Sequence, residues 1–410
     1  MYWGVKLSAL DVWMLRGNRL FGGPGDHGEA LFPPRPSLVA GAAASAALAA
    51  SGRIREATAH PDRAPQIVQE LFGDRFRLRA IALEHEGDLW LPAPADLVAF
   101  KRDESKLCIE TEEEEQGDDE IVFAGLAPSS WPEGVRTQLQ QLLPMAAVLK
   151  SPSRKKPLGA FWLRLEALAA WLKEGELPTK KDVRPANDFF CREARLGIAL
   201  DDEAGRPQKG RIYTTEAIRL QFWKEERLRE THVVAVFDVG KVPSGLDAML
   251  WRFGGDGRAA TVQALNEATC KKLVNLGRPD PKWKRVRMIA AQPIASSAGW
   301  LPPGAENDGA APFLLLPSGV RAEIKAASLP RAEVLSGWDL AEHQPKKAVR
   351  AVPAGSCWWL ELEREDAEGL EELWEEGVYS LAPQDASLRG EQEGIGAVWF
   401  GVWNDETKEG

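Results

Sequence analysis

Metal-binding and redox signatures are missing from this 410-residue chain. Its four cysteines, Cys108, Cys191, Cys270 and Cys357, stand about eighty residues apart and form no CxxC pair, which excludes a disulfide framework of the secreted type. The five histidines, His27, His60, His85, His232 and His343, show no HxxxH or His/Cys spacing, so neither a metal nor a cofactor is expected. There is no GxSxG nucleophile elbow and no glycine loop followed by the Lys-Ser/Thr of a P-loop. No run reaches the ~18 apolar residues of a membrane span. The longest stretch of low polarity, Leu38–Ala50, is mostly alanine. The opening Met1-Tyr2-Trp3-Gly4-Val5-Lys6 lacks the basic region and apolar core of a secretory signal. The reduced cytoplasm is the expected compartment, without a membrane partner.

What the chain does contain is ordinary for a folded protein: 44% hydrophobic and 27% charged residues. At roughly 100–200 residues per domain, its length predicts two or three domains. Glycine (37) and proline (28) are frequent, which points to many turns and long loops. The net charge of −10 is unevenly spread. Glu110–Glu120 holds eight acids and no base, and Glu361–Glu376 holds nine acids and one base. Outside these blocks 44 acids face 50 bases, so most of the chain is mildly basic and an anionic partner is compatible with it.

Alternation of Trp3, Val5, Leu7 and Ala9 with smaller or polar residues predicts an opening strand over Tyr2–Asp11. After a Gly/Pro-rich loop, Leu38–Ala50 reads as a helix with Ser37 as N-cap. A second helix is expected over Arg63–Phe72, short strands over Phe76–Phe100, and a helix over Phe161–Lys173. Ile218–Phe222 and His232–Val239 flank a charged turn and predict a long hairpin. From His232 the expected order is strand, helix (Leu246–Phe253), strand (Ala259–Leu265), and later a strand at Val286–Pro293. Near the end come a strand (Cys357–Leu362), an acidic helix (Asp366–Glu376) and a strand (Ala397–Trp403). Strand–helix–strand repeated is the split βαβ arrangement. The fold class expected is therefore α+β, two ferredoxin-like (RRM-like) domains with long glycine-rich loops, divided as 1–231 and 232–410.

Four glycine-containing turns are candidates for chemistry. Phe32-Pro33-Pro34-Arg35-Pro36-Ser37 leads into a helix that also carries Gly41, and amides at a helix start favour an anion there, with Arg35 supplying a planar donor fork. An ordinary capped helix would look the same. Gly254-Gly255-Asp256-Gly257-Arg258 allows positive φ and can turn amides toward a ligand, although a plain hairpin turn competes with that reading. Gly394-Ile395-Gly396 reads equally as a bulged strand entry, and Gly22-Gly23-Pro24-Gly25 as a flexible loop. Asp201-Asp202-Glu203 and Glu112–Glu115 are solvated charge runs before they are cation sites. His27, beside glycines, has the chemistry of a general acid or base on an RNA 2′-hydroxyl. Trp223 and Trp283, set among lysines and arginines, suit either base stacking or a strand with one buried ring.

Taken in order, these segments resemble a known family. The opening strand with Leu10-Asp11…Arg16…Phe21-Gly22, then Phe32-Pro33-Pro34-Arg35-Pro36-Ser37…Ala40-Gly41-Ala42, is similar to the N-terminus of the subunit-three family of the Cmr complex, RAMP-superfamily components of type III-B CRISPR effectors. Arg195–Leu200, Gly210…Tyr213-Thr214-Thr215-Glu216, the Gly254–Arg258 turn, Val352-Pro353-Ala354-Gly355-Ser356 and Gly394-Ile395-Gly396 resemble its later motifs, over about residues 2–404. Asp256 stands where that family usually has Glu, Gly401-Val402-Trp403 replaces a fuller glycine repeat, and Glu110–Glu120 has no counterpart.

The resemblance implies a non-catalytic architectural subunit without cofactor or metal. It would grip the repeat-derived 5′ tag of the guide RNA, dock the large polymerase-type subunit and contact an adjacent backbone RAMP subunit. Arg35 with the Ser37 helix start and Gly41, and Arg258 with Gly254, Gly255 and Gly257, would hold phosphate. Arg16, Lys155, Lys156, Arg192, Arg195, Gly394 and Gly396 complete the expected RNA groove. A guide-processing endoribonuclease using His27, or a protein-only adaptor, are the alternatives.

Overall fold

The computed structural model describes residues 1–17, 27–101, 121–131, 133–135, 142–146, 157–200, 205–247, 249–309, 311–339, 344–383 and 394–403. Its principal strands are β1 (Tyr2–Ala9), β2 (Phe76–His85), β3 (Cys191–Leu200), β4 (Pro207–Arg219), β5 (Arg227–Val239) and β6 (Ala259–Ala264). They continue with β7 (Arg285–Ala290), β8 (Arg321–Ser328), β9 (Glu333–Asp339), β10 (Gln344–Val352), β11 (Cys357–Leu362) and β12 (Val398–Val402). The helices are α1 (Pro36–Ala50), α2 (Ile54–Ala59), α3 (Ala64–Leu71), α4 (Leu165–Glu174), α5 (Glu267–Val274) and α6 (Ala367–Glu376). None is long and apolar enough to cross a membrane among the described residues.

The architecture mixes α and β around two antiparallel sheets. In the first, the central order is β2-β5-β1-β6, with Val5 opposite Ala235 on one side and Ala264 on the other. In the second it is β8-β11-β7-β12. Numbered by appearance within each group of four, both orders read 2-3-1-4. In the first group α1, followed by α2 and α3, lies in the first crossover, between β1 and β2; in the second, α6 lies in the last, between β11 and β12.

Hydrophobic burial stacks these layers. Val5, Leu7 and Phe237 of the first sheet face Val39, Ala43 and Ala47 of α1, where methyl-sized side chains bring the helix close to the strands. The opposite face, with Ala82, Val234 and Val236, shares a core with Leu168 and Trp171 of α4, Cys270 and Leu273 of α5, and Ile289 and Trp359 of the second sheet. The outer face of that second sheet is closed by Leu370, Leu373 and Trp374 of α6. Between the sheets, Arg287 and Asp96 form an ion pair with both side chains fully buried. Arg287 also donates to the carbonyls of Trp171 (2.9 Å) and Val402 (2.6 Å).

Several expectations are corrected. His232–Val239 does not open a second unit: β5 runs unbroken through the 231/232 position and is the third central strand of the first sheet. The Leu246–Phe253 helix does not form. Trp251 and Phe253 are both fully buried although two residues apart, which suits an extended chain and not one face of a helix, and Trp251–Arg252 pairs with β6. The helix expected from Phe161 starts at Leu165, because Phe161–Arg164 is spent on pairing with Asp88–Pro92. The charged hairpin turn is only Glu225-Glu226, both at positive φ, and Arg227–Glu230 already belongs to β5.

Candidate functional site

After β1 ends at Ala9 the chain turns through Asp11 into the short strand Val12–Trp13, which pairs with the base of the β3–β4 ribbon (Trp13 opposite Ile218). Around this segment, motifs from three distant parts of the sequence meet. Asp11, about half exposed, receives Arg258 (Nη1 to Oδ2, 3.0 Å) and also lies 3.7 Å from both Arg195 and Arg219. Glu193 accepts from Arg219 (2.6 and 2.8 Å) and Arg195 (3.0 Å). These arginine bonds hold the Glu193 carboxyl below its usual pKa.

Strand periodicity explains the grouping. Glu193 and Arg195 are two apart on β3 and so share a face, opposite Ala217 and Thr215, with Arg219 two residues beyond Ala217 on that face. Arg192, on the other face, donates to the Ala30 carbonyl (2.5 Å) and to Glu216 (2.8 Å) and lies over the Phe190 ring. Arg16, exposed, forms a backbone bridge with that same Ala30.

The glycine turn docks on this segment from the other side. Gly254 has φ +83°, and a Cβ there would come within 2.8 Å of the Met14 carbonyl, which the Gly255 amide meets at 2.9 Å. Asp256 and Gly257 also have positive φ. The Phe253 and Arg258 amides bond within the turn, so much of its backbone serves the protein itself, while Arg258 projects to Asp11. Arg16, Arg192, Arg195, Arg258, Gly254, Gly255 and Gly257 therefore lie on one connected surface. Arg219, Asp11, Glu193 and Glu216 join it without having been expected as site residues, although Asp11 and Glu216 stand within the motifs quoted above; the alternation of charges along β3 and β4 was the signal available.

The remaining candidates lie elsewhere. Arg35, not Ser37, occupies the N-cap of α1, because Pro36, with φ already set for a helix, begins it two residues earlier than expected. No side chain caps this end. Arg35 donates to the β9 carbonyls of Val334 (2.8 Å) and Ser336 (3.0 Å), tying the helix start to that strand. Gly41 sits on the exposed side of α1 with open space where a Cβ would point. Gly394 and Gly396 are buried, against Leu78 and the Tyr379 ring respectively, and so act as close-packing positions. Lys155, Lys156, the Gly22–Gly25 loop and Glu110–Glu120 lie outside the described residues; His27 is described only by its backbone, paired with Thr214. Of the two tryptophans, Trp223 is 73% exposed and Trp283 is half-buried against the second sheet's core. Beyond the arginines the ribbon exposes Leu196, Ile198, Leu200 and Ile212. Among the described residues no three His, Cys, Asp or Glu side chains cluster as a metal site.

Chemically, the surface offers planar guanidinium donors sharing a small number of carboxylates. Three arginines converge on the single carboxylate of Asp11, and each has five N–H donors, more than that acceptor can satisfy.

A search of curated proteins finds no match to this chain. Among solved structures, a chain in the cryo-EM structure of the type III-B Cmr-beta bound to cognate target RNA and AMPPnP aligns with a TM-score of 0.44 at 13% identity, over 87% of this chain and 86% of that one. A chain in the crystal structure of the Csm3–Csm4 subcomplex of the type III-A CRISPR-Cas interference complex aligns at 0.37 and 9%, over 88% and 94%. The family model described as CRISPR-associated protein (Cas_Cmr3) matches residues 5–403. Spanning nearly its whole length, that match places the chain in the Cas_Cmr3 family of CRISPR-associated proteins.

Proposed function

We propose that this chain is a non-catalytic RNA-binding subunit of a type III-B CRISPR effector complex, holding the 5′ repeat-derived tag of the guide RNA and docking the large polymerase-type subunit beside a backbone RAMP subunit. The observation that carries the reading is the convergence of Arg195, Arg219 and Arg258 on Asp11. Phosphates competing for those donors would position the strand without reading its sequence. The apolar residues Leu196 and Ile198, exposed on the other face of the same ribbon with Arg192, offer contact to unstacked bases there. Each sheet is read as a ferredoxin-like core of the RAMP type, supported by the shared 2-3-1-4 strand order.

Binding of the intact assembly's protein component to labelled tag RNA and to a scrambled RNA, across a salt series, tests this. About five phosphate contacts predict a log–log slope near −3.5 for single-stranded RNA. Tag RNA is expected to bind tighter than scrambled RNA and to remain uncut. Cleavage that disappears in His27→Ala would instead establish the endoribonuclease, and equal weak binding of both RNAs the protein-only adaptor.

A further inference from the structure

At the seam between the two sheets, α4 and the turn that follows α5 enclose an open crevice of about 330 Å³ that the RNA reading leaves unused. Its walls are apolar: Leu165 and Leu172 from α4, Leu276 from the turn, with Phe400 beneath and Trp283 at one side. Ala169, exposed on α4, leaves the mouth open because its side chain ends at a methyl. Around that mouth stand Lys173, Lys272 and Arg278, each within ion-pair reach of one carboxylate, Glu174, Glu166 and Glu371 respectively.

These cations are loosely held or aimed at the rim. Lys173 meets Glu174 at 3.9 Å and Lys272 meets Glu166 at 3.9 Å, in pairs whose four side chains are all more than 60% exposed. Such pairs contribute little in water. Arg278 is steered by Glu371 at 2.7 Å and by the Trp374 ring.

We propose that this crevice receives an acidic amphipathic segment of a neighbouring protein subunit. One apolar side chain of that segment enters over Leu165 and Leu276, and its carboxylates meet Lys173, Lys272 and Arg278. The wall chemistry selects protein over RNA: the inner lining is leucine, Ala169, Phe400 and the half-buried Trp283, its polar groups stand at the rim, and a nucleobase entering it would find few donors or acceptors to satisfy its edges. A leucine or phenylalanine has no such requirement. The inference rests on the chain working within a multi-subunit assembly.

The test is a photo-crosslinking benzophenone amino acid at Asn275, exposed on the rim, in the full chain co-expressed with its companion subunits and guide RNA. After irradiation of the purified assembly, mass spectrometry is expected to find the adduct on an Asp/Glu-rich stretch of another protein subunit. The yield is expected to fall at least fivefold in Lys173→Glu/Lys272→Glu, and also in Ala169→Trp, which fills the crevice from an exposed helix face without disturbing the core. An adduct on RNA, on this chain itself, or on a segment without acidic residues overturns the proposal, as does an intact assembly that gives no adduct. A chain that recovers no companion subunit overturns the assembly reading, and the crevice's occupant with it.

Discussion

Arg258 and Arg287 carry the same guanidinium into opposite surroundings. Arg258 shares exposed Asp11 with two other arginines, so its donors can be redirected to an anion at small cost. Arg258→Ala is therefore expected to weaken RNA binding about equally for all sequences and to make the salt slope shallower by about 0.7, as read by filter binding. Arg287 has no such freedom. Its partner Asp96 is fully buried, and Arg287→Met would leave that carboxylate uncompensated, at a cost of about 3–5 kcal/mol. Urea unfolding measures the loss, and Asp96→Leu in the same chain is expected to recover much of it.

Two histidines add a pH dependence at this scale. His85, buried with its Nδ1 2.9 Å from the Thr231 hydroxyl, and His232, 2.8 Å from the Ser8 hydroxyl, are both pushed below the ordinary value of 6.5 by burial. A depressed histidine pKa favours the folded state only while the ring is neutral. The contribution is thus complete above about pH 6.5 and is lost as the pH falls through the folded values. The urea midpoint is expected to drop between pH 7.5 and pH 5, and to drop less in His85→Gln.

Among the elements, α1 shows what a local pattern can specify. Its alanines and its end near Gly52 are readable along the chain, and the helix ends at Ala50 as expected, although it starts at Pro36 and not at Leu38. Gly41 breaks its own rule by placing a glycine mid-helix on the solvent side. Gly41→Ala is expected to raise stability by about 0.5–1 kcal/mol, and unchanged RNA affinity in that variant would show that no ligand needs close approach to this backbone. β1 was legible from its alternation, α6 from its Asp366 N-cap, and β11 and β12 from short apolar runs buried on both faces. Pairing was not. β5 has the composition of a domain's first strand, yet its partners are β1 and β2, more than 140 residues upstream, and no local signal encodes that choice. The candidate site divides along the same line. The glycine turn and the arginines of β3 were visible as motifs, but their meeting at Asp11 depends on the sheet and could not be read from spacing.

For the whole molecule, the register of β1 has a consequence in time. Tyr2 pairs with Asp238 and Val5 with Ala264, so β1 has no neighbour until these later strands are synthesised. At about 5–20 residues per second, the ribosome leaves Tyr2–Ala9 unpaired for roughly 12–50 seconds, with Trp3, Val5 and Leu7 open to chaperones or to nascent neighbours. Slowing translation would lengthen that exposure, whereas speeding delivery of Arg227–Ala264 would shorten it. The yield of folded chain therefore depends on how quickly the middle of the message is read.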